Sequence, residues 1–455
     1  MTSRLLCPHP ACGGRVAEDE AGTACGCERR QPILLCLCGV ANRTGARYCR
    51  ACRAELTAEG ASLIDHLRRT STDFLRIHGS FRRPPLSGNG FLYALSTAGA
   101  VFQLSPRSGA RAMEIGRLRN PAAALNSFAV VDVPGLGGEG GLRGWNLLAV
   151  SPSAVEAVSL VTGSVTTLYE PRASETLAAN LSEADSGGCK GLAATGEVVA
   201  FVVRDGSGAN TLTLKYLAQD RPVLQPLTVH GSTVAGPVRS GSHFALCSEH
   251  EVGMFNLDTG EATVLQLPRE FRPMLTHGLA NLKLAPGAMP VIVLQSPGSK
   301  AALCVAGEQG GQSGLLGFDP KKGSRSSFRA VPRGSSLSTS QDGVTCLCTL
   351  DAIDVFAPEH FFRVPALTLP WMPVYSDTGC LFSFGVAESP EQHLIRGEWA
   401  THAVELIFES TQLSGDTCCG VFRLGNQVLA GYFDFNAEHT DEAEGLKFAH
   451  WSLAW

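Results

Sequence analysis

Eight of the 16 cysteines fall within the first 52 residues: Cys7, Cys12, Cys25, Cys27, Cys36, Cys38, Cys49 and Cys52. They read C-x4-C-x12-C-x-C and, after a gap of eight residues, C-x-C-x10-C-x2-C. Two closely spaced thiols on one turn, matched by two more after a short hairpin, suit a tetrahedral ion. Zn²⁺ accepts four thiolates at about 2.3 Å, and a structural site of that kind is closed. Sequential pairing gives one ion to Cys7, Cys12, Cys25 and Cys27 and a second to Cys36, Cys38, Cys49 and Cys52; a cross-braced arrangement is the alternative. His9 stands between two of these cysteines, either as a replacement ligand or as an exposed residue of the turn. The competing chemistry is a disulfide framework. The paired spacings and the start MTSRLLCPHPACGG, which has no long apolar leader, argue against it. A segment this short has little core, so metal would supply most of its folding energy.

CLCGVANRTGARYCRACRAEL, Cys36 to Leu56, resembles one ribbon of the bacterial double zinc-ribbon family. It has Cys38-Gly39, an Asn-x-x-Gly-Ala-Arg-Tyr hairpin arm, Cys49-x-x-Cys52 and a closing Glu-Leu. The stretch from Cys7 to Cys27 departs from that pattern in its knuckle spacings. The resemblance implies two structural zinc ions within residues 1–56. It does not choose among protein docking, nucleic-acid contact and structural capping.

Catalytic signatures are scarce beyond the cysteines. Gly135-Leu-Gly137-Gly-Glu-Gly140 has the form G-x-G-x-x-G, but GLRGWNLLAV follows it. That reads as loop then strand, where a phosphate cradle needs a helix. There is no G-x-x-x-x-G-K-[ST], H-E-x-x-H, EF-hand loop or G-x-S-x-G. His243 and His250 flank one strand as lone histidines. Asp351, Asp354, Glu359 and His360 are the densest titratable group, in a segment reading as strand then turn; Asp441, Glu442 and Glu444 read as a solvated acidic loop.

The elements that must carry these residues are mostly strands. A helical linker is expected over 57–85. Leu63, Ile64, Leu67, Phe74, Leu75 and Ile77 recur at roughly helical spacing, Ser62 is placed to cap and Gly79 to stop. From about Leu86 to residue 455, short β-rich runs alternate with Gly, Ser, Asp and Pro turns. One unit recurs in FLYALSTAGAVFQLSPRSGA (from Phe91), LLAVSPSAVEAVSLVTGSVTTL (from Leu147) and HFALCSEHEVGMFNLDTGEATVLQL (from His243). Weaker copies begin near Val198, Ala301, Val344, Cys380 and Cys419. Phe91 to Cys419 is 328 residues over seven intervals, about 47 per repeat, the period of four-stranded propeller blades. The units resemble the repeats of quinoprotein-like propellers, and no Trp-Asp dipeptide of the usual WD-repeat kind occurs. The expected fold is therefore mainly β: two zinc ribbons over 1–56, a helical linker over 57–85, and a seven-bladed propeller over 86–455, with eight blades as the alternative count. Cys247, Cys304, Cys346, Cys348 and Cys419 occupy similar places in the repeats and are expected as core thiols. The adjacent Cys418 and Cys419 are expected as two thiols rather than a strained disulfide.

Composition bounds the function. Hydrophobic residues make up 44% and charged residues 17%, which excludes a disordered chain. The longest apolar runs, such as Ile33–Cys38, are far short of the roughly 18–20 residues a bilayer needs. Residues 1–83 hold 13 Arg against 8 Asp and Glu, net +5, while the rest carries 24 basic and 34 acidic residues, net −10. The reading that follows is a cytoplasmic, zinc-binding, non-enzymatic scaffold that docks protein partners within a bacterial multiprotein system. Neither a membrane nor a small-molecule substrate is expected. The alternative is nucleic-acid contact by the ribbons, through Arg43, Arg47, Arg50 and Arg53 with Tyr48 to stack on a base. A quinone-dependent propeller enzyme is disfavoured by a thiolate-rich segment suited to a reducing compartment.

Overall fold

The computed structural model describes residues 5–6, 15–16, 33–35 and 41–43 near the N-terminus. From 75 to 452 it describes all but 82, 106–111, 120–127, 135–141, 152, 178–191, 219–220, 276–281, 285–290, 295–301, 320–323, 334, 340–344, 350–351, 358–359, 366–373, 377–378, 386–391, 399–402, 411–416, 425–426 and 435–442. Among the described residues the regular elements are all strands, and no helix is long and apolar enough to cross a membrane.

The first four strands are β1 (Leu5–Leu6), β2 (Arg15–Val16), β3 (Ile33–Leu35) and β4 (Ala41–Arg43), joined in the order β2-β1-β3-β4. The fifth, β5 (Leu75–Phe81), belongs to a different part of the molecule. From there on, the described strands form eight sheets of four or five strands that follow one another along the chain, against the seven expected. They occupy 86–117, 128–169, 175–230, 234–266, 271–330, 335–365, 374–410 and 417–452. Strand Leu282–Leu284 leaves the run of the fifth sheet to pair, parallel, with Ser335–Thr339 of the sixth. The fold is propeller-like.

Local chemistry makes the repeat. The second strand of a sheet ends in a serine whose hydroxyl accepts a backbone amide across the next turn: Ala100 onto Ser96 at 3.0 Å, Ala154 onto Ser151 at 3.1 Å and Glu251 onto Ser248 at 3.0 Å. All three serines are buried, so each hydroxyl satisfies a turn that water does not reach. The third strand ends in a second device. Ser159 accepts the amides of Val161 and Thr162, and Asn256 those of Asp258 and Thr259. Gly163 and Gly260 then close these turns at φ of 71° and 72°, the left-handed region that favours glycine.

A sheet buried on both faces must pack between two others, and the core runs as a series of such interfaces. Tyr93, Val101, Val130, Leu147 and Val158 join the first and second sheets. Val131, Leu148, Val199 and Phe201 join the second and third. Leu212, Leu227, Phe244 and Leu246 join the third and fourth, Cys247, Val252, Val305 and Leu316 the fourth and fifth, and Ile292, Leu315, Leu337 and Leu347 the fifth and sixth.

The ends of the run meet. Thr417–Leu424, Gln427–Asp434 and Ala443–Ser452 supply three strands of the last sheet, and β5 supplies the fourth by pairing with Ala443–Ser452. Ile77 and Phe81 of β5 are buried with Phe422, Leu429, Leu446 and Phe448 of the last sheet and with Leu92, Ala94 and Leu104 of the first. The amide of Thr97 also donates to the carbonyl of Ser80 at 2.9 Å. The expected helix therefore fails at 75–81, while residues 57–74 lie outside the described ones. Ile77 and Phe81 point inward and His78 and Ser80 outward, the period of two that a strand requires. This closure also explains the last weak repeat. Seven of the sequence hairpins fall on strands paired on both sides within a sheet, but Cys419 falls on the first strand of its own, because the fourth strand there comes from the N-terminal side.

Candidate binding cleft

The turn after Ser248 carries a dense set of polar bonds. Besides accepting the Glu251 amide, the Ser248 hydroxyl donates to the His230 carbonyl at 2.7 Å, tying the fourth sheet to the connection that leaves the third. The Glu249 carboxylate accepts the Ser232 amide and hydroxyl and the Thr233 amide, the last at 2.9 Å. Glu251 accepts the His230 amide at 2.6 Å and the Gln266 side chain at 2.7 Å, and its carboxylate lies 3.2 Å from Nδ1 of His230. From the third sheet, Arg204 donates to the Ser232 carbonyl at 2.7 Å and Asn210 to the Gly231 carbonyl at 2.8 Å.

Burial pushes both carboxyls up, but the bonds they accept outweigh it. Hydrogen bonds from Ser232, from the Glu249 amide itself and from Thr233 hold Glu249 below the usual carboxylate range. Those from His230 and Gln266 do the same for Glu251. A carboxyl depressed in the folded state stabilises above its unfolded value of about 4.3, and that stability is lost as pH falls through the folded value. The double variant Glu249→Gln/Glu251→Gln is therefore expected to be less stable than wild type at pH 7 and to converge on it below about pH 4. Urea midpoints measured across that range check this; a constant difference would show that the carboxylates do not carry the effect.

Beyond the turn, the chain runs from Gln266 into the connection to the fifth sheet. The Leu267 amide donates to the His250 carbonyl at 2.7 Å, and Phe271–Pro273 pairs with 307–309. No Cβ would fit at Gly307, where the Phe271 ring and the Arg272 carbonyl already press on the backbone, so the segment is held close. Between turn and connection lies a cleft of about 470 Å³. Glu249, His250 and Gln266 form one wall, Pro268, Arg269, Arg272 and Pro273 the other, and buried Leu267 and Phe271 give it an apolar component. Arg269 and Arg272 are exposed, and among the described residues neither side chain has a hydrogen-bond or ion-pair partner. Of the neighbouring acids, Glu249 and Glu251 are bonded as above and Glu270 by the Gln309 side chain at 3.1 Å, while Glu308 stands opposite Arg272 across the strand pair.

The residues singled out in the sequence are distributed differently. The eight clustered cysteines lie outside the described residues, as do Arg47, Tyr48, Arg50, Arg53, Asp351, Glu359, Asp441, Glu442 and the loop Gly135–Gly140; Arg43 is the last residue of β4. His250 lines the cleft, whereas Nε2 of His243 lies 3.1 Å from the Asn256 amide and burial lowers its pKa. Asp354 is buried and paired with Arg329 at 3.0 Å, linking the sixth and fifth sheets in a structural role. Among the described residues no three His, Cys, Asp or Glu gather to hold a metal. Cys247 and Cys346 are buried thiols outside any disulfide, and burial raises the pKa of Cys304 to about 11. All three sit on strands paired on both sides within their sheets. Arg269 and Arg272 were missed, and their only sequence signal is Pro-Arg-Glu-Phe-Arg-Pro over 268–273, directly after a repeat.

No protein-family model and no curated protein matches the chain. Solved structures do. BamB from Moraxella catarrhalis is 11% identical, with a TM-score of 0.35, over 70% of this chain and 81% of that one. The WD40 β-propeller domain of Doa1 is 11% identical, TM-score 0.36, over 75% and 97%. An oligogalacturonate lyase from Vibrio parahaemolyticus is 10% identical, TM-score 0.40, over 74% and 91%. The last corrects one expectation. A lyase is an enzyme, so the fold gives no ground for holding that this chain is not one. The likenesses concern architecture alone.

Proposed function

We propose that the chain is a protein-docking scaffold, an eight-bladed propeller whose turn-bearing face receives partners, preceded by a two-zinc double ribbon. The observation that carries the reading is the closure of the last sheet by β5, with Ile77 and Phe81 buried between the last and first sheets. A closed run of sheets holds every turn on one rigid frame, and turns on a rigid frame are where recognition surfaces are built. The propeller then begins at Leu75.

The donor set fits zinc. Eight thiols in four pairs supply two sets of four thiolates. Cys7, Cys12, Cys25 and Cys27 would hold one ion, and Cys36, Cys38, Cys49 and Cys52 the other. Bound zinc would fix the fold of residues 1–56, and thiolate ligands suit the reducing cytoplasm.

Affinity capture by the full chain, from an extract of the cell that makes it, tests the scaffold reading. Specific proteins should be enriched and then displaced by excess untagged chain. Enrichment that untagged chain does not compete would contradict it.

A further inference from the structure

We infer that the outer edge of the fourth sheet, strand Ala262–Gln266, takes an extended, uncharged segment of a partner protein as an added fifth strand. The inference rests on the docking reading above and adds the rim of the platform to its turn-bearing face. The outermost strand of each of the eight sheets is paired on one side only, and a bare edge invites further pairing. Six of the eight break that edge with one extra residue in the outer strand. It is Ile115, Leu168, Ser326 or Ile407 in four sheets, and lies within 225–226 and within 79–80 in the other two. A bulge bends the strand and throws one residue out of step, so a straight partner cannot follow it. The outer strand of the sixth sheet, His360–Pro365, keeps step but carries Arg363 and ends in proline. Ala262–Gln266 has none of these devices. It stays in step with Glu251–Phe255 throughout and contains no charge and no proline.

The backbone of this strand is aimed for pairing. The Asn256 amide donates to the Glu261 carbonyl at 2.9 Å and the Leu267 amide to the His250 carbonyl at 2.7 Å, so the groups of 261 and 267 face the sheet. Alternation along the strand then turns those of Ala262, Val264 and Gln266 outward, and all three residues are exposed. Among the described residues no partner meets those outward groups. Five residues span about 17 Å, one strand wide. Self-pairing of two copies along that line would bury far less than the roughly 1,200 Å² of a specific interface. A linear segment is held by main-chain bonds and needs no such area. The strand itself gives a charged segment nothing to pair with, and Val264, 42% exposed at its centre, offers apolar contact to a residue of the added strand.

The test is fluorescence anisotropy on the full chain with a labelled peptide of alternating Thr and Val and a copy N-methylated throughout. The first should bind saturably and change little as salt rises, because no charge holds it. The methylated copy, with no amide to donate, should not bind. In residue-resolved hydrogen exchange the amides of Ala262, Val264 and Gln266 should be fast in the unliganded chain and slowed by the peptide. Those of Thr263 and Leu265, already bonded within the sheet, should not change. Val264→Pro removes an outward amide without touching the pairing to Glu251–Phe255, and should weaken binding by about tenfold. Val161→Ala, exposed on the second sheet, should leave it unchanged. If the proline lowers the melting temperature, the exchange pattern of the wild-type chain decides alone. Absent saturation, equal binding of the methylated peptide, no added protection at 262, 264 and 266, or a normally stable Val264→Pro chain that binds like wild type would each overturn the inference. So would slow exchange at those three amides in the unliganded chain, which would put another part of this chain or a second copy on the edge; sedimentation tells the two apart. Should partners still be captured competitively in that event, docking occurs elsewhere and only the edge assignment falls.

Discussion

Phe81→Ala is expected to cost about 3–5 kcal/mol of stability, the range for removing a fully buried aromatic side chain from a packed core. Phe81 is 1% exposed, and its ring meets Phe102 edge-on with centroids 6.0 Å apart. It lies in a cluster that contains residues of both the first sheet and the last. The lost contacts would therefore weaken the closure itself rather than one sheet. Deleting residues 1–82 should do more. It removes the fourth strand of the last sheet and bares the edge of Ala443–Ser452 to intermolecular pairing, so soluble yield should fall and aggregation rise. Urea midpoints of Phe81→Ala, with Val161→Ala as an exposed control, check the first expectation. A shift no greater than the control would mean that Phe81 is not at a closing interface.

Chelation is expected to have the second large effect, confined to the other end of the chain. If eight thiolates hold two ions, removing zinc withdraws on the order of 10 kcal/mol from a segment with almost no core. Residues 1–56 should become sensitive to protease, while the fragment from about residue 75 stays resistant. Elemental analysis should find two zinc ions per chain, and thiol counting under denaturing, chelating conditions should find all 16 cysteines reduced. No zinc, together with eight thiols missing from the count, would mean disulfides and would remove the ribbon from the account.

Much of the β architecture was legible because its devices are local. Ser96, Ser151 and Ser248 cap their turns within four residues, and Gly163 and Gly260 close theirs within the same short span, so a strand-turn-strand unit could be read from a single window of sequence. What escaped is what distance decides. Leu75 and Ile77 fit helical spacing with the residues before them. They form a strand because Ala443–Ser452, at the far end of the chain, offers an edge that only β5 fills. The choice between seven blades and eight turned on the same point, since the last sheet borrows a strand and so breaks the period. The cleft had no motif to find. Its walls are a turn of one sheet and the approach to the next, and neither is chemically unusual until the pairing of Phe271–Pro273 with 307–309 sets Arg272 beside His250.

The central claim is that β5 locks the sheets into one closed platform, and hydrogen exchange of the full chain tests it most directly. The amides of 77–81 should exchange as slowly as those of Ala443–Ser452, and Phe81→Ala should release both together. Rapid exchange of 77–81 beside a protected Ala443–Ser452 would contradict the closure, and with it the platform on which the docking function depends.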